Sequence, residues 1–506
     1  MDTKSSPLVI LGFDAADPDL LQRWANEGHL PTLASIMKRG CWTKLTGPDL
    51  LSPHGRWLSL FSGVSRSEHG YYYFRQLKTG TYGLEDVTAR DAKALPFWSH
   101  LRGRDKRVAI IDAPDTDPLT GLAGIQLANW NVHAPSSPPS TEPAALLQEV
   151  RRVFGPPFKI SEGGLRDDQQ IYRRLLERTK KQGALGRHLL SQDRFDLAVV
   201  VFSESHPAGH KFWRYREDAQ PPHAAAEGSE LTHALRDVYQ EIDRQMGLLL
   251  AQLPHEANVF ILSSTGLEDL YPTIGLIEDF CRKLGYQATS ERRSPSLKPM
   301  AMLRRVVPKD WRTALSRYLP GAVRQRLRND FYYGDTNWRK TTAFAIPSAY
   351  TSFVRVNLRG REPEGIVEPG IEYESLLQKL ERDLHQLIDP HTGAPAVKQV
   401  TRTVEAFHCG PPASLPDLFV EWKPGAHFMP RLVHPRVELV RPRPQVVRAN
   451  NHSSKSFMAA AGPFIQERGA LDGISPLDLA PTFLSLMGEP IPDTLSGKVI
   501  EALTHA

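Results

Sequence analysis

The stretch Leu197-Ala-Val-Val-Val-Phe-Ser-Glu-Ser-His-Pro-Ala-Gly-His-Lys-Phe-Trp213 runs from six apolar residues almost directly into two histidines that are four residues apart. Such an apolar run is typical of a strand that is buried on both faces of a parallel sheet. Ligands of open α/β sheets bind outside the carboxyl ends of the strands, and both histidines follow that end. The stretch therefore predicts an α/β fold with a functional site beyond this strand.

Similar short apolar runs recur along the chain and alternate with longer segments of helical periodicity. This alternation is the pattern of parallel strands joined by crossover helices. We therefore predict an α/β fold with a mostly parallel central sheet flanked by helices and carrying cap insertions. One helix is predicted over residues 17–39, with Asp17 as N-cap, proline at the first helical position and Gly40 after its end. The predicted core strands are residues 8–13, 107–112, 197–202, 259–263, 343–346, 353–357 and 418–422.

The domain prediction is a single α/β domain over residues 1–506. Residues 290–337 are dense in arginine and lysine and are predicted to form a basic cap insertion, although a solvated basic face is the simpler interpretation. Residues 131–185, which begin with a stretch rich in proline and serine, are predicted as a second cap segment.

The bulk composition limits the classes of function. Hydrophobic residues make up 41% and charged residues 24% of the chain, which is ordinary globular composition, and the net charge of +5 is too weak a bias to indicate nucleic-acid binding. It is compatible with a small anionic substrate. The three cysteines, Cys41, Cys281 and Cys409, form no disulfide or zinc-knuckle pattern. With no apolar run long enough for a signal or a membrane span, we predict a cytoplasmic protein without a transmembrane segment; no pattern indicates its oligomeric state.

Two further stretches offer a carboxylate and a hydroxyl. Asp14 follows the apolar run of residues 8–13 and precedes the predicted helix, where a functional carboxylate is expected, although it could equally cap the following turn. The stretch Leu51-Ser-Pro-His-Gly-Arg-Trp57 places Ser52 in a loop that runs into a helix, whose amides could hold an anionic oxygen. Ser52 is the first candidate for a nucleophile. The competing interpretation is an ordinary capping serine.

A third histidine completes a candidate metal site. His206 and His210 can converge on one divalent ion if their segment is helical. The alternative interpretation is that they are simply two polar residues around a turn. His452, in Asn450-Asn-His452, could supply the third imidazole. Three histidines leave an open position for water or substrate, as catalytic zinc sites require.

Five other stretches join these four as markers of a known family. They are Glu27-Gly-His-Leu-Pro-Thr-Leu33, Pro96-Phe-Trp98, Asn357-Leu-Arg-Gly-Arg-Glu-Pro-Glu-Gly-Ile-Val367, Leu415-Pro-Asp-Leu418 and Ser475-Pro-Leu-Asp-Leu-Ala-Pro-Thr482. In their order and separations, all of these stretches resemble the alkaline phosphatase superfamily, in its type I phosphodiesterase and nucleotide pyrophosphatase branch. The resemblance covers most of the chain and implies an alkaline phosphatase-like fold.

The resemblance also implies a reaction. In such enzymes two divalent ions, commonly zinc, flank a serine or threonine that attacks phosphorus and forms a covalent intermediate, which water then hydrolyses. By motif, Asp14 resembles the first carboxylate ligand of the metal beside the nucleophile, and Ser52 resembles the nucleophile. His206, His210 and His452 resemble ligands of the other metal.

This chain departs from the family at two places. Where the family has an Asp-His pair after the strand at residues 259–262, it has Ser263-Ser264-Thr265-Gly266, so the metal site beside the nucleophile is expected to be weak or empty. His206 stands where aspartate is more common, which favours zinc at the remaining site. The loop after Ser52 carries one extra residue, and its His54 and Arg56 are candidates for acid and phosphate clamp, hence for substrate binding.

Two functions follow from these features. The first is a metal-dependent hydrolase or transferase that acts on a phosphodiester or phosphomonoester, either a small anionic molecule or a lipid-linked one, through one metal ion. The second is a degenerate family member that has lost catalysis and serves as a binding or scaffold protein, which the replacement of the Asp-His pair by Ser264 and Thr265 favours.

Overall fold

The structure, a computed structural model, describes residues 6–132, 137–157, 167–219, 230–269, 275–290, 320–348, 351–425, 429–441, 450–465 and 469–504. The chain forms two compact units. The first comprises Met1–Tyr71, Thr88–Asp269 and Arg448–Ala506, and the second comprises Tyr72–Val87 and Leu270–Val447. Most of the predicted basic cap, residues 291–319, lies outside the described residues, and the described part of 131–185 belongs to the first unit. The single domain with cap insertions stays a prediction.

The first unit is built on a nine-stranded mixed sheet. The central strand Leu8–Phe13 pairs in parallel with Leu197–Phe202 on one side and with Asn258–Ser263 on the other. Five of the eight strand pairs are parallel, which confirms the predicted α/β fold with a mostly parallel sheet. The strands lie in the order Gly469–Ala470, Cys41–Leu45, Ser456–Ala461, Asn258–Ser263, Leu8–Phe13, Leu197–Phe202, Arg107–Ile111, Ala123–Ala128 and Ser140–Glu142.

Helices cover both faces of this sheet. Successive side chains of a strand point to opposite faces, so Ile10 packs in one apolar cluster with Phe483 and Leu11 in another with Tyr239. Among the described residues, no helix is both long and apolar enough to cross a bilayer. The α-helices of this unit are Pro18–Asn26, Pro31–Arg39, Arg56–Ser62, Arg66–His69, Leu146–Phe154, Asp168–Leu190, Ser205–Phe212, Ala234–Leu250 and Leu479–Leu486. Its 3-10 turns are Pro48–Leu50, Ala89–Asp91, Phe97–Leu101, Trp213–Tyr215, Glu230–His233, Pro476–Asp478 and Glu501–Leu503, and a short antiparallel pair joins Gly266–Asp269 to Asn450–Ser453.

The single helix predicted over residues 17–39 is wrong, because the structure has two helices there, Pro18–Asn26 and Pro31–Arg39. Asp17 caps the first as predicted, accepting hydrogen bonds from the amides of residues 19 and 20. Gly28 has φ of 84°, which ends the helical path, and Pro31 then starts the second helix at a position where its missing N–H costs nothing.

The second unit is built on a separate antiparallel sheet. Its four strands lie in the order Ala343–Ile346, Ser352–Val356, Leu418–Trp422 and Val397–Arg402. Three of them were predicted as core strands of the parallel sheet, which is wrong, because apolar runs of four or five residues do not specify the sheet they join. The remaining strands form the hairpins Arg75–Leu77 with Leu84–Asp86 and Arg431–His434 with Val437–Val440. The helices are Leu276–Lys283, Gly321–Tyr333, Ile371–His385 and Thr403–Ala406, with a 3-10 turn at Trp338–Lys340.

A buried ionic network explains two of the family stretches in this unit. Both terminal nitrogens of Arg361 donate to the Asp417 carboxylate, at 2.8 and 2.7 Å. The Tyr373 hydroxyl and the amide of Val356 donate to the same carboxylate at 2.6 and 2.7 Å. Burial raises the pKa of Asp417, but the charge and hydrogen bonds of Arg361, together with the hydrogen bond from Tyr373, outweigh burial and hold that pKa below its usual range. The role of these two family stretches is therefore structural: they form a buried ion pair within the second unit.

Replacing Asp417 by asparagine is expected to lower the free energy of unfolding by about 3–5 kcal/mol, because it removes the charge of a fully buried carboxylate and leaves Arg361 with Glu362 as its remaining acidic partner. Urea denaturation measures this change. The control is Glu364→Gln at the surface, where Arg339, whose side chain is 85% exposed, pairs with Glu364, and removal should cost less than about 1 kcal/mol. Equal losses in the two variants would contradict the assignment.

Candidate active site

Three neighbouring strand ends gather the candidate side chains at one edge of the sheet. Phe13 lies in register with Phe202 on one side and Ser263 on the other, so the loops that follow these strands are adjacent. The first loop carries Asp14, the second leads into helix Ser205–Phe212, and the third carries Ser264 and Thr265. The predicted location of the site, outside the carboxyl ends of parallel strands, is therefore where these residues meet.

The structure brings the three histidines together. One candidate ligand atom from each of His206, His210 and His452 lies within 4.8 Å of those of the other two, and the ring centroids are 4.8–5.0 Å apart. His206 and His210 occupy successive turns of helix Ser205–Phe212, and His452 comes from strand Asn450–Ser453. A tetrahedral zinc ion with N ligands at about 2.0–2.1 Å places those nitrogens about 3.3 Å apart. The ligand-atom separations of at most 4.8 Å are of that order. The donor set fits a zinc ion.

Hydrogen bonds fix the protonated nitrogen of two of these rings. The Nδ1 atom of His206 lies 3.1 Å from Asp14 Oδ2, and Nδ1 of His210 lies 3.0 Å from Asn450 Oδ1. The amide group of Asn450 donates to the Gly209 carbonyl, so its oxygen is the atom that faces His210. Because both partners are acceptors, each ring carries its proton on Nδ1 and presents Nε2 as a ligand atom. Histidines that bind metals have this arrangement.

The Asp14 carboxylate lies between a histidine and a tryptophan. Its Oδ2 faces His206, and its Oδ1 accepts a hydrogen bond of 2.9 Å from the Trp57 indole N–H. Only 7% of Asp14 is exposed. Its predicted role as a metal ligand stays a prediction, whereas the observed contacts make it the carboxylate that orients His206.

Ser52 lies in the loop between the 3-10 turn Pro48–Leu50 and helix Arg56–Ser62, and its side chain is fully buried. It does not cap that helix, because Gly55 occupies the N-cap position with φ of 77°. The Ser52 carbonyl accepts hydrogen bonds from Arg56 Nε at 2.8 Å and from an Arg66 terminal nitrogen at 3.2 Å. Two cations thus hold the backbone of the candidate nucleophile.

The Arg56 guanidinium is turned into the protein and is 2% exposed. One terminal nitrogen donates to the Thr265 hydroxyl and, at 2.7 Å, to the Ser453 carbonyl, while the other donates to the Leu50 carbonyl. His54, in the same loop, is partly exposed, and its carbonyl accepts a hydrogen bond from Arg66. Substrate binding by His54 and Arg56 stays a prediction.

The loop that replaces the family's Asp-His pair is buried. Ser264 and Thr265 are both largely inaccessible to solvent. Two nearby acids could have supplied the missing ligands. However, Glu204 is paired with Arg178 at 2.7 Å inside the protein, and Asp269 accepts a hydrogen bond from the Trp213 indole. Neither carboxylate takes the place of the missing pair in this structure.

A serine, a histidine and an aspartate also meet at Ser59, His69 and Asp49, but not as a catalytic triad. The amide of Tyr71 donates to His69 Nδ1 at 3.0 Å, so the ring proton is on Nε2, which donates to Ser59 Oγ. Ser59 in turn donates to Asp49. Burial, with the charge of Arg66, lowers the pKa of His69 to about 3, so the ring cannot act as a base for Ser59. The group fixes the turn before Gly70.

Sequence reasoning missed three residues of this region. Asn450 and Trp57 contact the site through side chains that no local pattern marks. Asp115 follows strand Arg107–Ile111 and is exposed to solvent. Desolvation by the neighbouring protein atoms and the charge of Asp14 raise its pKa to about 7. Its place after a neighbouring strand of the same sheet was the signal that could have found it.

Comparisons with known proteins agree with this picture. The family model described as type I phosphodiesterase / nucleotide pyrophosphatase matches residues 8–435. The solved structure of human ectonucleotide pyrophosphatase/phosphodiesterase 5 is similar, with a TM-score of 0.50 and 12% identity over 99% of this chain and 100% of that one. Phosphonoacetate hydrolase from Sinorhizobium meliloti 1021, in complex with phosphonoformate, is similar with a TM-score of 0.50 and 11% identity over 96% and 95%.

At these identities the solved structures show the fold alone, and no curated protein matches the chain. The family match, by contrast, spans most of the sequence and includes Asp14, Ser52 and two of the three histidines. The chain therefore belongs to the type I phosphodiesterase and nucleotide pyrophosphatase family, a family of phosphoric ester hydrolases.

Proposed function

We propose that this protein hydrolyses phosphoesters with one transition-metal ion, held by His206, His210 and His452, and with Ser52 as the nucleophile. The convergence of three imidazoles, two of them with Nδ1 bound to an acceptor, supports this proposal most strongly. Three nitrogen ligands with an open fourth position are typical of catalytic zinc sites. The same set disfavours magnesium, which prefers oxygen ligands.

The proposed reaction proceeds in two displacements. When bound, the ion would act as a Lewis acid that stabilises the charge developing on a phosphoryl oxygen. Ser52 Oγ forms a bond to phosphorus as the bond from phosphorus to the leaving oxygen breaks, and the hydroxyl proton leaves with the released alcohol. Water then cleaves the phosphoserine ester, which releases the phosphate product and restores the hydroxyl. Throughout, Asp14 and Asn450 hold the histidines in their ligand tautomers.

The proposed substrates are phosphomonoesters or phosphodiesters, either small anionic molecules or lipid-linked ones. A transferase would use the same first displacement and replace water by another hydroxyl acceptor in the second. The product of the second displacement distinguishes the two acceptors: water gives a free phosphate product, and an alcohol gives a new phosphate ester.

A substrate screen tests the proposal. The purified protein is stripped of metal, reloaded with zinc, manganese or magnesium, and assayed with p-nitrophenyl phosphate, bis-p-nitrophenyl phosphate and p-nitrophenyl sulfate. We expect turnover of at least one phosphate ester with zinc, its loss on chelation and its recovery on zinc addition. The ratio of free phosphate product to glycerol ester in added glycerol measures how water and an alcohol compete for the phosphoserine ester.

The rival function is a binding or scaffold protein without catalysis. The complete burial of Ser52 and the hydroxyls at Ser264 and Thr265 favour it. It predicts no turnover of any of these esters with any of the three metals. Turnover that persists in His210→Ala at the wild-type rate would not come from the three-histidine site and would contradict the proposed function.

A further inference from the structure

We infer that the Arg56 guanidinium is a built-in cation that fills the place of a second metal ion, so that the site takes a single ion. The inference rests on the proposed function and concerns which positive charges the site holds, namely one metal ion and one guanidinium. It starts from the loop at Ser264 and Thr265, where the chain departs from its family.

The guanidinium contacts the loop that would carry the missing ligands. It donates to the Thr265 hydroxyl and to the Ser453 carbonyl, the residue after the metal-site histidine His452. Its Nε donates to the Ser52 carbonyl at 2.8 Å. Arg56 therefore joins the third strand-end loop, the histidine strand and the candidate nucleophile loop through one buried positive charge.

The chemistry of the loop matches a guanidinium and not a metal. A hydroxyl and backbone carbonyls are good acceptors for N–H groups but poor ligands for zinc compared with carboxylate and imidazole. The absence of the Asp-His pair and the presence of a buried arginine in contact with Thr265 are thus complementary features of this chain. Two cations at this point would also repel each other strongly in a site shielded from water.

Trp57, the residue after Arg56, occupies the Asp14 carboxylate, which is the other ligand that a second ion would need. Trp57 follows Arg56 at the start of helix Arg56–Ser62, and its indole N–H binds Asp14 Oδ1. Asp14 Oδ2 faces His206. Consecutive residues of one helix therefore donate N–H groups to Thr265 and to Asp14, the two positions at which the family resemblance implies ligands of a second ion.

Metal stoichiometry tests the inference without reference to activity. Each protein is saturated with zinc, freed of excess metal by gel filtration and measured by elemental analysis, with calorimetric titration as a second readout. We expect about one zinc ion per chain for the wild type, and about one for the double variant Ser264→Asp with Thr265→His, because Arg56 still occupies the place. Adding Arg56→Ala to that pair should raise the count to about two.

The outcomes separate the two proposals. Two ions in the wild type, two in the double variant, or one in the triple variant would overturn the role of Arg56 and leave the three-histidine site intact. No ion in the wild type would overturn the proposed function as well. Thermal melts establish which variants fold, and Arg56→Met, which keeps more of the side-chain volume, replaces Arg56→Ala if the triple variant does not fold.

Discussion

The His210→Ala variant is expected to lose the zinc ion and to lower kcat/KM for a phosphate ester by about 10³-fold or more. His210 is one of only three nitrogen ligands that the described residues bring together at this point, and its Nδ1–H is already bound to Asn450. Two remaining imidazoles hold zinc weakly, and a lost metal ion removes several kcal/mol of transition-state stabilisation, which is a factor of about 10³ in rate. Elemental analysis and steady-state kinetics measure the two losses.

The same experiment has a graded series and a matched control. Asp14→Asn and Asn450→Ala remove the partners of His206 and His210 and should weaken zinc binding by about 10–100-fold, less than the loss of a ligand. His255→Ala makes the identical substitution at an exposed histidine and should change neither metal content nor rate. Stoichiometric zinc in His210→Ala would show that the three-histidine site is not where the ion binds.

Two of the three histidines of the candidate site could be placed together from sequence because their signals are local. Six apolar residues predict the buried strand Leu197–Phe202, and the spacing of His206 and His210 places them on one helix face. His452 could not be added by spacing, since it lies more than 240 residues further on, and the resemblance to a family was the support for grouping it with the pair. The convergence of all three is the structural result.

The surroundings of the site could not be predicted in the same way. The bonds from Trp57 to Asp14 and from Arg56 to Thr265 join residues 43 and 209 positions apart, and neither leaves a periodic pattern. Arg56 was predicted to bind substrate because an arginine beside a candidate nucleophile suggests a phosphate clamp. Its burial against backbone carbonyls is decided by packing, which depends on the whole fold.

Element boundaries show the same division between local and long-range causes. The strands near the site were predicted to within a residue, because buried parallel strands are continuous apolar runs. The sheet to which Ala343–Ile346 and Leu418–Trp422 belong could not be read, since strand partners are set by the connections between them. The break between Pro18–Asn26 and Pro31–Arg39 could have been found from Gly28 and Pro31.

The Ser52→Ala variant is expected to retain about one zinc ion per chain and to lose turnover by about 10³-fold or more, because the variant cannot form the phosphoserine ester. The metal ligands lie on other segments, so the histidines and their partners keep their positions. Kinetics with the best phosphate ester from the screen, together with elemental analysis, separate this loss from a loss of metal.

Ser59→Ala is the matched control for Ser52→Ala. Ser59 is also a buried serine of this region, but its hydroxyl is bound to Asp49 and His69, and the tautomer of His69 excludes it as a nucleophile. We expect Ser59→Ala to lower the free energy of unfolding by about 1–3 kcal/mol, because it leaves buried polar groups without a partner, and to keep kcat within a few-fold of the wild type. If Ser52→Ala instead keeps the wild-type rate while Ser59→Ala abolishes it, the nucleophile lies on the helix Arg56–Ser62 and not in the loop before it. If both variants turn over normally while chelation still stops the reaction, the ion activates water directly, and the one-metal site works without a covalent intermediate.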